Sequence, residues 1–79
     1  MREQIQEKMM ERLKVIFPNA EITEETKFES DLNAKSIQYS QITTFLEDAF
    51  DVEIPYMKFR RKETVGEAID FVLELCEEL

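Results

Sequence analysis

The sequence predicts an all-α protein, a four-helix bundle with three long helices and one short third helix. In three segments, apolar residues recur at intervals of three and four, which is the period of one helix face. Proline and capping residues mark the places where these segments begin and end. A chain of 79 residues has room for one small domain, so residues 1–79 are expected to share one modest core.

The first helix is predicted from Arg2 to Phe17 and ends before Pro18, because the residue before a proline disfavours helical dihedral angles. Four apolar residues lie on one face of this helix: Ile5, Met9, Leu13 and Ile16. Residues 19–35 show no sustained period and are expected to form a long connection that crosses the ends of the helices. Three apolar residues would hold it there: Ile22, Phe28 and Leu32.

The second helix is predicted to begin at Ser36 and to reach Phe50. Its apolar face contains Ile42, Phe45, Leu46, Ala49 and Phe50. A serine at a helix start is typical of an N-cap, whose oxygen accepts a hydrogen bond from a first-turn N–H. The same place suits a phosphate ester, because free N–H groups and the positive end of the helix dipole stabilise an anion. The local pattern leaves both interpretations open.

An extended segment over Asp51–Pro55 is predicted to lead into the short helix, Tyr56–Arg60. The last helix follows a capping box, in which Thr64 is the N-cap and the Glu67 side chain reaches back to the Thr64 N–H. One face of this helix is apolar and contains Val65, Ala68, Ile69, Val72, Leu73, Cys76 and Leu79.

Composition narrows the classes of function. The net charge of −8 disfavours binding to nucleic acid or anionic lipid and favours partners with basic surfaces. The absence of histidine removes the usual general base and the commonest metal ligand, so we expect neither an enzyme nor a metal site. A single cysteine excludes an internal disulfide, and no apolar run is long enough for a membrane span or a signal peptide. We expect a cytoplasmic monomer.

Residues Asp31–Ile37 read Asp-Leu-Asn-Ala-Lys-Ser-Ile, which resembles the acyl carrier protein signature Asp-Leu-Gly-Ala-Asp-Ser-Leu. The similarity continues through Phe45–Pro55 and resumes at Thr64–Val72, so it covers most of the chain after Phe28. In that family the serine carries a 4'-phosphopantetheine arm, whose terminal thiol holds an acyl group as a thioester. The resemblance implies that Ser36 carries this arm in fatty acid, specialised lipid or polyketide-type synthesis.

The partners that the resemblance implies are a phosphopantetheinyl transferase and a set of acyl-loading and acyl-transferring enzymes. It also implies that an acyl chain enters between the second helix and its neighbours. Candidate wall residues are Ile42, Leu46, Ile54, Phe59 and Ile69, for which plain core packing is the alternative. An aminoacyl or peptidyl carrier remains an alternative in mechanism. An unmodified, carrier-shaped adaptor that binds other proteins is an alternative from a different class.

The chain departs from the family signature at Asn33, Lys35 and Ile37, which replace glycine, aspartate and leucine. A cation is unfavourable beside a free helix N-terminus and favourable beside a phosphodiester. We therefore predict that Lys35 stabilises the modified form relative to the unmodified one, with a solvated lysine of no consequence as the alternative. The second helix carries few charges, and a basic run follows at Lys58–Lys62, either as a solvated face or as a docking site. Together these features indicate enzymes other than the housekeeping fatty acid synthase set.

Overall fold

The computed structural model describes residues 1–78, and four helices make up the regular secondary structure of this part of the chain. They are α1 (Arg2–Ile16), α2 (Ser36–Phe50), α3 (Tyr56–Arg60) and α4 (Val65–Glu77). This architecture confirms the all-α prediction of three long helices and one short third helix. Leu79, which was predicted to lie on the apolar face of α4, is outside the described residues.

Helix α1 packs against both α2 and α4, and α3 packs against α2. All four helices and both longer connections contribute to one core. Its fully buried large side chains are Tyr39, Phe28, Phe59, Ile5, Met9, Leu13, Ile42, Leu46, Ile69, Val65 and Val72. Burial of one such aliphatic side chain contributes about 1.5–3 kcal/mol, so the core is the main source of stability. None of the helices within residues 1–78 is both long and apolar enough to cross a membrane.

Two helix details differ from the prediction. Helix α1 ends at Ile16 instead of Phe17, since the proline that follows moves Phe17 out of the helical region, to φ −124° and ψ 69°. In α2, Ala49 is exposed, which makes its place on the buried face wrong. The buried stripe of α2 runs through Tyr39, Ile42, Thr43 and Leu46. At 3.6 residues per turn, Ala49 lies at the edge of this stripe.

Thr64 is the N-cap of α4, as predicted, because its hydroxyl accepts a hydrogen bond from the Glu67 N–H at 3.2 Å. The second half of the predicted capping box is wrong. The Glu67 carboxylate accepts from the Thr64 hydroxyl at 3.3 Å instead of from the Thr64 N–H. A hydroxyl can donate one hydrogen bond while it accepts another, so both bonds of this cap use the same oxygen.

The connection between α1 and α2 is anchored to the start of α4. As predicted, Phe28 and Leu32 are buried, and Ile22 is half-buried. The Gly66 N–H donates to the Glu24 carbonyl at 2.8 Å, and a Cβ at Gly66 would lie only 3.1 Å from that oxygen. The absence of a side chain at position 66 therefore permits the two backbones to approach.

A network of side chains around Glu24 joins α1, the connection and α4. The Arg2 guanidinium donates two hydrogen bonds to Glu24, at 2.6 and 3.1 Å, and a third to Asp70 at 2.8 Å. The Gln6 amide donates to the same Glu24 carboxylate at 3.0 Å. The hydrogen bonds from Arg2 lower the pKa of Glu24.

The Glu24 network predicts a dependence of stability on pH. Because the folded-state pKa of Glu24 is lowered, its contribution is complete above the unfolded-state pKa of about 4.3 and is lost as pH falls through the folded value. We expect the parent to melt at a higher temperature than Glu24→Gln at about pH 7, with a difference that shrinks as the pH falls through the folded-state pKa of Glu24. Glu25→Gln, at an exposed neighbouring position, is the control. A difference that stays constant with pH would contradict the prediction.

Core packing at Leu46 predicts a large cost of truncation. Leu46 is fully buried, so Leu46→Ala should lower the free energy of unfolding by about 2–5 kcal/mol, measured by urea denaturation. Val15 is 64% exposed, and Val15→Ala should stay within about 0.5 kcal/mol of the parent. If Leu46→Ala cost as little as Val15→Ala, Leu46 would border a loosely filled cavity instead of a packed core.

Candidate functional site

Ser36 is the exposed first residue of α2, and its hydroxyl points across to α3. The Ser36 Oγ accepts a hydrogen bond from Arg60 Nη1 at 2.6 Å. The interpretation of Ser36 as the N-cap is therefore wrong, since Lys35 occupies that position with extended φ −107° and ψ 167°. A lysine ammonium has no acceptor, so it cannot cap the helix. The hydroxyl of Ser36 is free of a capping role because the helix begins one residue earlier than it would if Ser36 were the N-cap.

The backbone at the start of α2 is held by two side chains. Gln38 Oε1 accepts a hydrogen bond from the Lys35 N–H at 2.8 Å, which is the side-chain half of a capping box. On the other side, the Tyr56 hydroxyl donates to the Ser36 carbonyl at 3.3 Å. These two contacts fix the direction in which the first turn of α2 leaves the connection.

Arg60 is the cation closest to the Ser36 hydroxyl, and three contacts hold it. Besides its bond to Ser36, Nη1 donates to the Tyr56 hydroxyl at 3.0 Å, and the guanidinium carbon lies 4.9 Å from the centre of the Tyr39 ring. The hydrogen bond with Tyr56 raises the pKa of Arg60, which is charged at all pH values of interest. Sequence reasoning placed Arg60 only in the basic run, and no local signal connects it with a residue 24 positions earlier.

An open groove of about 620 Å³ lies in front of Ser36. The charged side chains that line it are those of Lys35, Arg60 and Glu29. The Lys35 Nζ donates to Asn33 Oδ1 at 3.0 Å, so it turns toward the connection. Two cations, one acid and the N-terminus of a helix with free N–H groups form surroundings that suit a singly charged phosphodiester.

Asn33 shows how the chain accommodates a departure from the signature. Its φ of 51° is in the left-handed region, where glycine is preferred and asparagine is among the tolerated residues. The same turn is closed by bonds from the Asn33 N–H to Glu29 and from the Ala34 N–H to Phe28, at 3.0 and 2.9 Å. Asparagine thus keeps the backbone that a glycine would adopt.

Three aromatic rings lie beneath the groove. Ring centroids are 5.5 Å apart for Phe28 and Tyr39, 6.1 Å for Phe28 and Phe59, and 6.5 Å for Tyr39 and Phe59. Tyr39 is 1% exposed, so its ring belongs to the core. Its hydroxyl has no hydrogen-bond partner within residues 1–78, and burial raises the pKa of Tyr39.

Three cations of the basic run at Lys58–Lys62, namely Arg60, Arg61 and Lys62, line one pocket beside the groove. Arg60 contacts Ser36, whereas the Lys62 Nζ lies 4.9 Å from the centre of the Phe71 ring. Lys58 and Arg61 are exposed. Of the four cations, only Arg60 also lines the groove in front of Ser36.

One of the two acidic side chains of α2 makes a hydrogen bond within the fold. The Glu47 carboxylate accepts a hydrogen bond from the Ile54 N–H at 2.9 Å and so holds the extended segment after α2. Asp48 is exposed. The solvent side of α2 is therefore even less acidic than its sequence suggests.

The candidate wall residues lie together in the core. All five are at most 6% exposed and belong to one cluster: Ile42, Leu46, Ile54, Phe59 and Ile69. In this state they fill the space between the helices, which is the alternative that the sequence left open. An acyl chain could occupy this region only if these side chains moved apart.

Comparison with known proteins gives one consistent result, although no family model matches the chain. An acyl carrier protein from Rubrobacter xylanophilus is 39% identical over 72 residues, which cover 91% of this chain and 86% of that protein. An acyl carrier protein from Borreliella burgdorferi is 40% identical over 52 residues, which cover 66% of this chain and 65% of that protein. One from Lactobacillus johnsonii is 39% identical over 51 residues, or 65% of this chain and 64% of that protein. Similarity that covers most of both chains shows that this protein belongs to the acyl carrier protein family.

Proposed function

We propose that the protein carries acyl groups as thioesters on a 4'-phosphopantetheine arm attached to Ser36. Membership of the family supports the role of acyl carrier, which is that of a carrier protein and not of an enzyme. The observation that carries the proposed attachment is the position of the Ser36 hydroxyl. It is exposed at the N-terminus of α2, is not used for capping, and faces a groove that holds two cations.

The chain itself does not activate Ser36. The groups at its hydroxyl are the Arg60 guanidinium and, on the neighbouring carbonyl, the Tyr56 phenol. Neither accepts a proton at neutral pH, so a partner transferase must supply the base. In the proposed modification the Ser36 oxygen bonds to the phosphorus of the coenzyme A pantetheine phosphate. Adenosine 3',5'-bisphosphate leaves, and the hydroxyl proton passes to the transferase or to water.

When bound, the arm supplies the thiol that forms the thioester. The residues of the chain anchor the arm, stabilise the charge of its phosphodiester and present a surface to partner enzymes. We place this activity in the cytoplasm, in fatty acid, specialised lipid or polyketide-type synthesis. The sparsely charged outer side of α2 supports partners other than the housekeeping fatty acid synthase set, because it offers few carboxylates to a basic docking surface.

The proposal is tested by the intact mass of the protein after incubation with coenzyme A and a broad-specificity phosphopantetheinyl transferase. We expect a gain of one arm in the parent and none in Ser36→Ala. Ser40→Ala, which removes another exposed serine of α2, is the matched control and should be modified like the parent.

The mass measurement distinguishes a carrier from an unmodified adaptor, and later loading experiments distinguish an acyl carrier from an aminoacyl or peptidyl carrier. Failure of several transferases to modify the parent would overturn the carrier proposal and favour an unmodified adaptor. If the arm is attached, loading by acyl-transferring enzymes supports an acyl carrier. Loading only by amino-acid-adenylating enzymes would instead show an aminoacyl or peptidyl carrier.

Lys35 provides a second test at the same site. Lys35→Asp places a capping oxygen and a negative charge at the N-cap, so it should raise the Tm of the unmodified protein and reduce the gain in Tm on arm attachment. Lys35→Asn provides the cap without the negative charge. We expect the gain in Tm to fall in the order parent, Lys35→Asn, Lys35→Asp. Equal gains in all three proteins would show that Lys35 does not distinguish the two forms.

A further inference from the structure

Arg60 lies where a phosphate on Ser36 would have to be placed, yet it belongs to a different helix. It comes from α3, and its Nη1 is 2.6 Å from the oxygen to which the arm would be bonded. Ser36 and Arg60 are exposed and half-exposed, respectively, so an added group can reach both. Nothing in the stretch around Ser36 predicts this cation.

We propose that Arg60 and Tyr56 of α3 form a binding site for the phosphodiester on Ser36, so that attachment of the arm strengthens the contact between α2 and α3. This inference rests on the proposed attachment at Ser36. It gives Arg60 a specific role that the other cations of the basic run, Lys58, Arg61 and Lys62, do not share.

The chemistry of the guanidinium supports this role. Once Ser36 is esterified, its oxygen becomes a weak acceptor, and the anionic phosphate oxygens lie two bonds away from it, on the phosphorus. The two hydrogen bonds that Arg60 makes here both use Nη1, which leaves the Nε and Nη2 donors for further acceptors. Hydrogen bonds between a guanidinium and a phosphate are charge-assisted, about twice as strong as neutral ones, and often bidentate.

Arg60 is also ordered before any arm is attached. The Tyr56 hydroxyl accepts from it at 3.0 Å, and its guanidinium lies over the ring of Tyr39, which is fully buried. Because the side chain already has its binding conformation, little conformational entropy is lost when it binds the phosphate. Lys35, the other cation of the groove, is exposed and bonded to Asn33, so it is less ordered toward Ser36.

Because α3 is short, one additional contact to α2 should have a measurable effect on its stability. Helix α3 has five residues, too few to be stable by its own hydrogen bonds. Phe59 anchors it in the core, and Tyr56 and Arg60 hold its outer side to the first residue of α2. An anion at Ser36 would add a charged contact to this outer side.

The first experiment measures the gain in Tm on arm attachment in four proteins: the parent, Arg60→Gln, Arg60→Lys and Arg61→Gln. Arg61 is exposed and adjacent, so Arg61→Gln removes the same charge without the contact to Ser36. We expect the gain to fall by about 4 °C in Arg60→Gln, to be partly kept in Arg60→Lys, and to equal that of the parent in Arg61→Gln. Amide hydrogen exchange over residues 56–60 should slow on arm attachment in the parent and not in Arg60→Gln.

A second experiment needs no transferase. Ser36→Glu introduces an anion at the same position, and its effect on Tm is compared in the parent, Arg60→Gln and Arg61→Gln backgrounds as a double-mutant cycle. We expect Ser36→Glu to be more favourable by about 4 °C when Arg60 is present than in the Arg60→Gln background. The Arg61→Gln background should behave like the parent.

The two experiments separate the failure of this inference from the failure of the proposed function. If the parent accepts the arm and the Arg60→Gln and Arg61→Gln proteins gain equally, Arg60 does not bind the phosphodiester although Ser36 carries the arm. If the parent accepts no arm, equal effects of Ser36→Glu in the two backgrounds overturn the Arg60 site. A difference between the backgrounds supports an anion site at Ser36 even when the carrier proposal fails.

Discussion

The contact among Phe28, Tyr39 and Phe59 determines where the residues of the candidate site lie. Each ring comes from a different segment: the connection after α1, the first turn of α2, and α3. Ser36 lies one turn before Tyr39, and Arg60 directly follows Phe59. All three rings are at most 1% exposed, so none of them can shift without opening the core. The packing of these rings therefore brings Ser36 and Arg60 to within 2.6 Å of each other at the surface.

The connection between α1 and α2 takes part in this arrangement as firmly as the helices do. Near its middle, Glu24 accepts hydrogen bonds from Arg2 and Gln6, and its carbonyl accepts from Gly66. Phe28 then enters the core, and Asn33 turns the chain into α2 with a positive φ. A long segment without secondary structure can thus place Ser36 reproducibly, because its contacts to α1 and α4 remove most of its freedom.

Local rules predicted most of the fold and only part of the site. Periodicity and capping gave the bounds of α2 and α3 and the cap at Thr64 correctly, since these depend on neighbours within one turn. The role of the Ser36 hydroxyl in capping was mistaken because a shift of one residue decides which side chain occupies the N-cap. Its contact with Arg60 joins residues 24 apart and exists only after α3 packs on α2. The family resemblance, which the relatives confirm, led to the prediction that Ser36 carries the arm, but it contained no information about that contact.

The distribution of charge gives the groove at Ser36 a different character from the rest of the surface. The protein as a whole has a net charge of −8, whereas two cations and one acid line the groove. Glu47 holds Ile54, and Ile37, beside Ser36, is 66% exposed. A partner that approaches the outer side of α2 therefore meets mostly apolar and neutral polar side chains, and its affinity should depend on shape and apolar burial more than on ion pairs. Under the proposed function, the local cations would stabilise the phosphodiester on Ser36, while the acidic residues elsewhere disfavour binding to other polyanions.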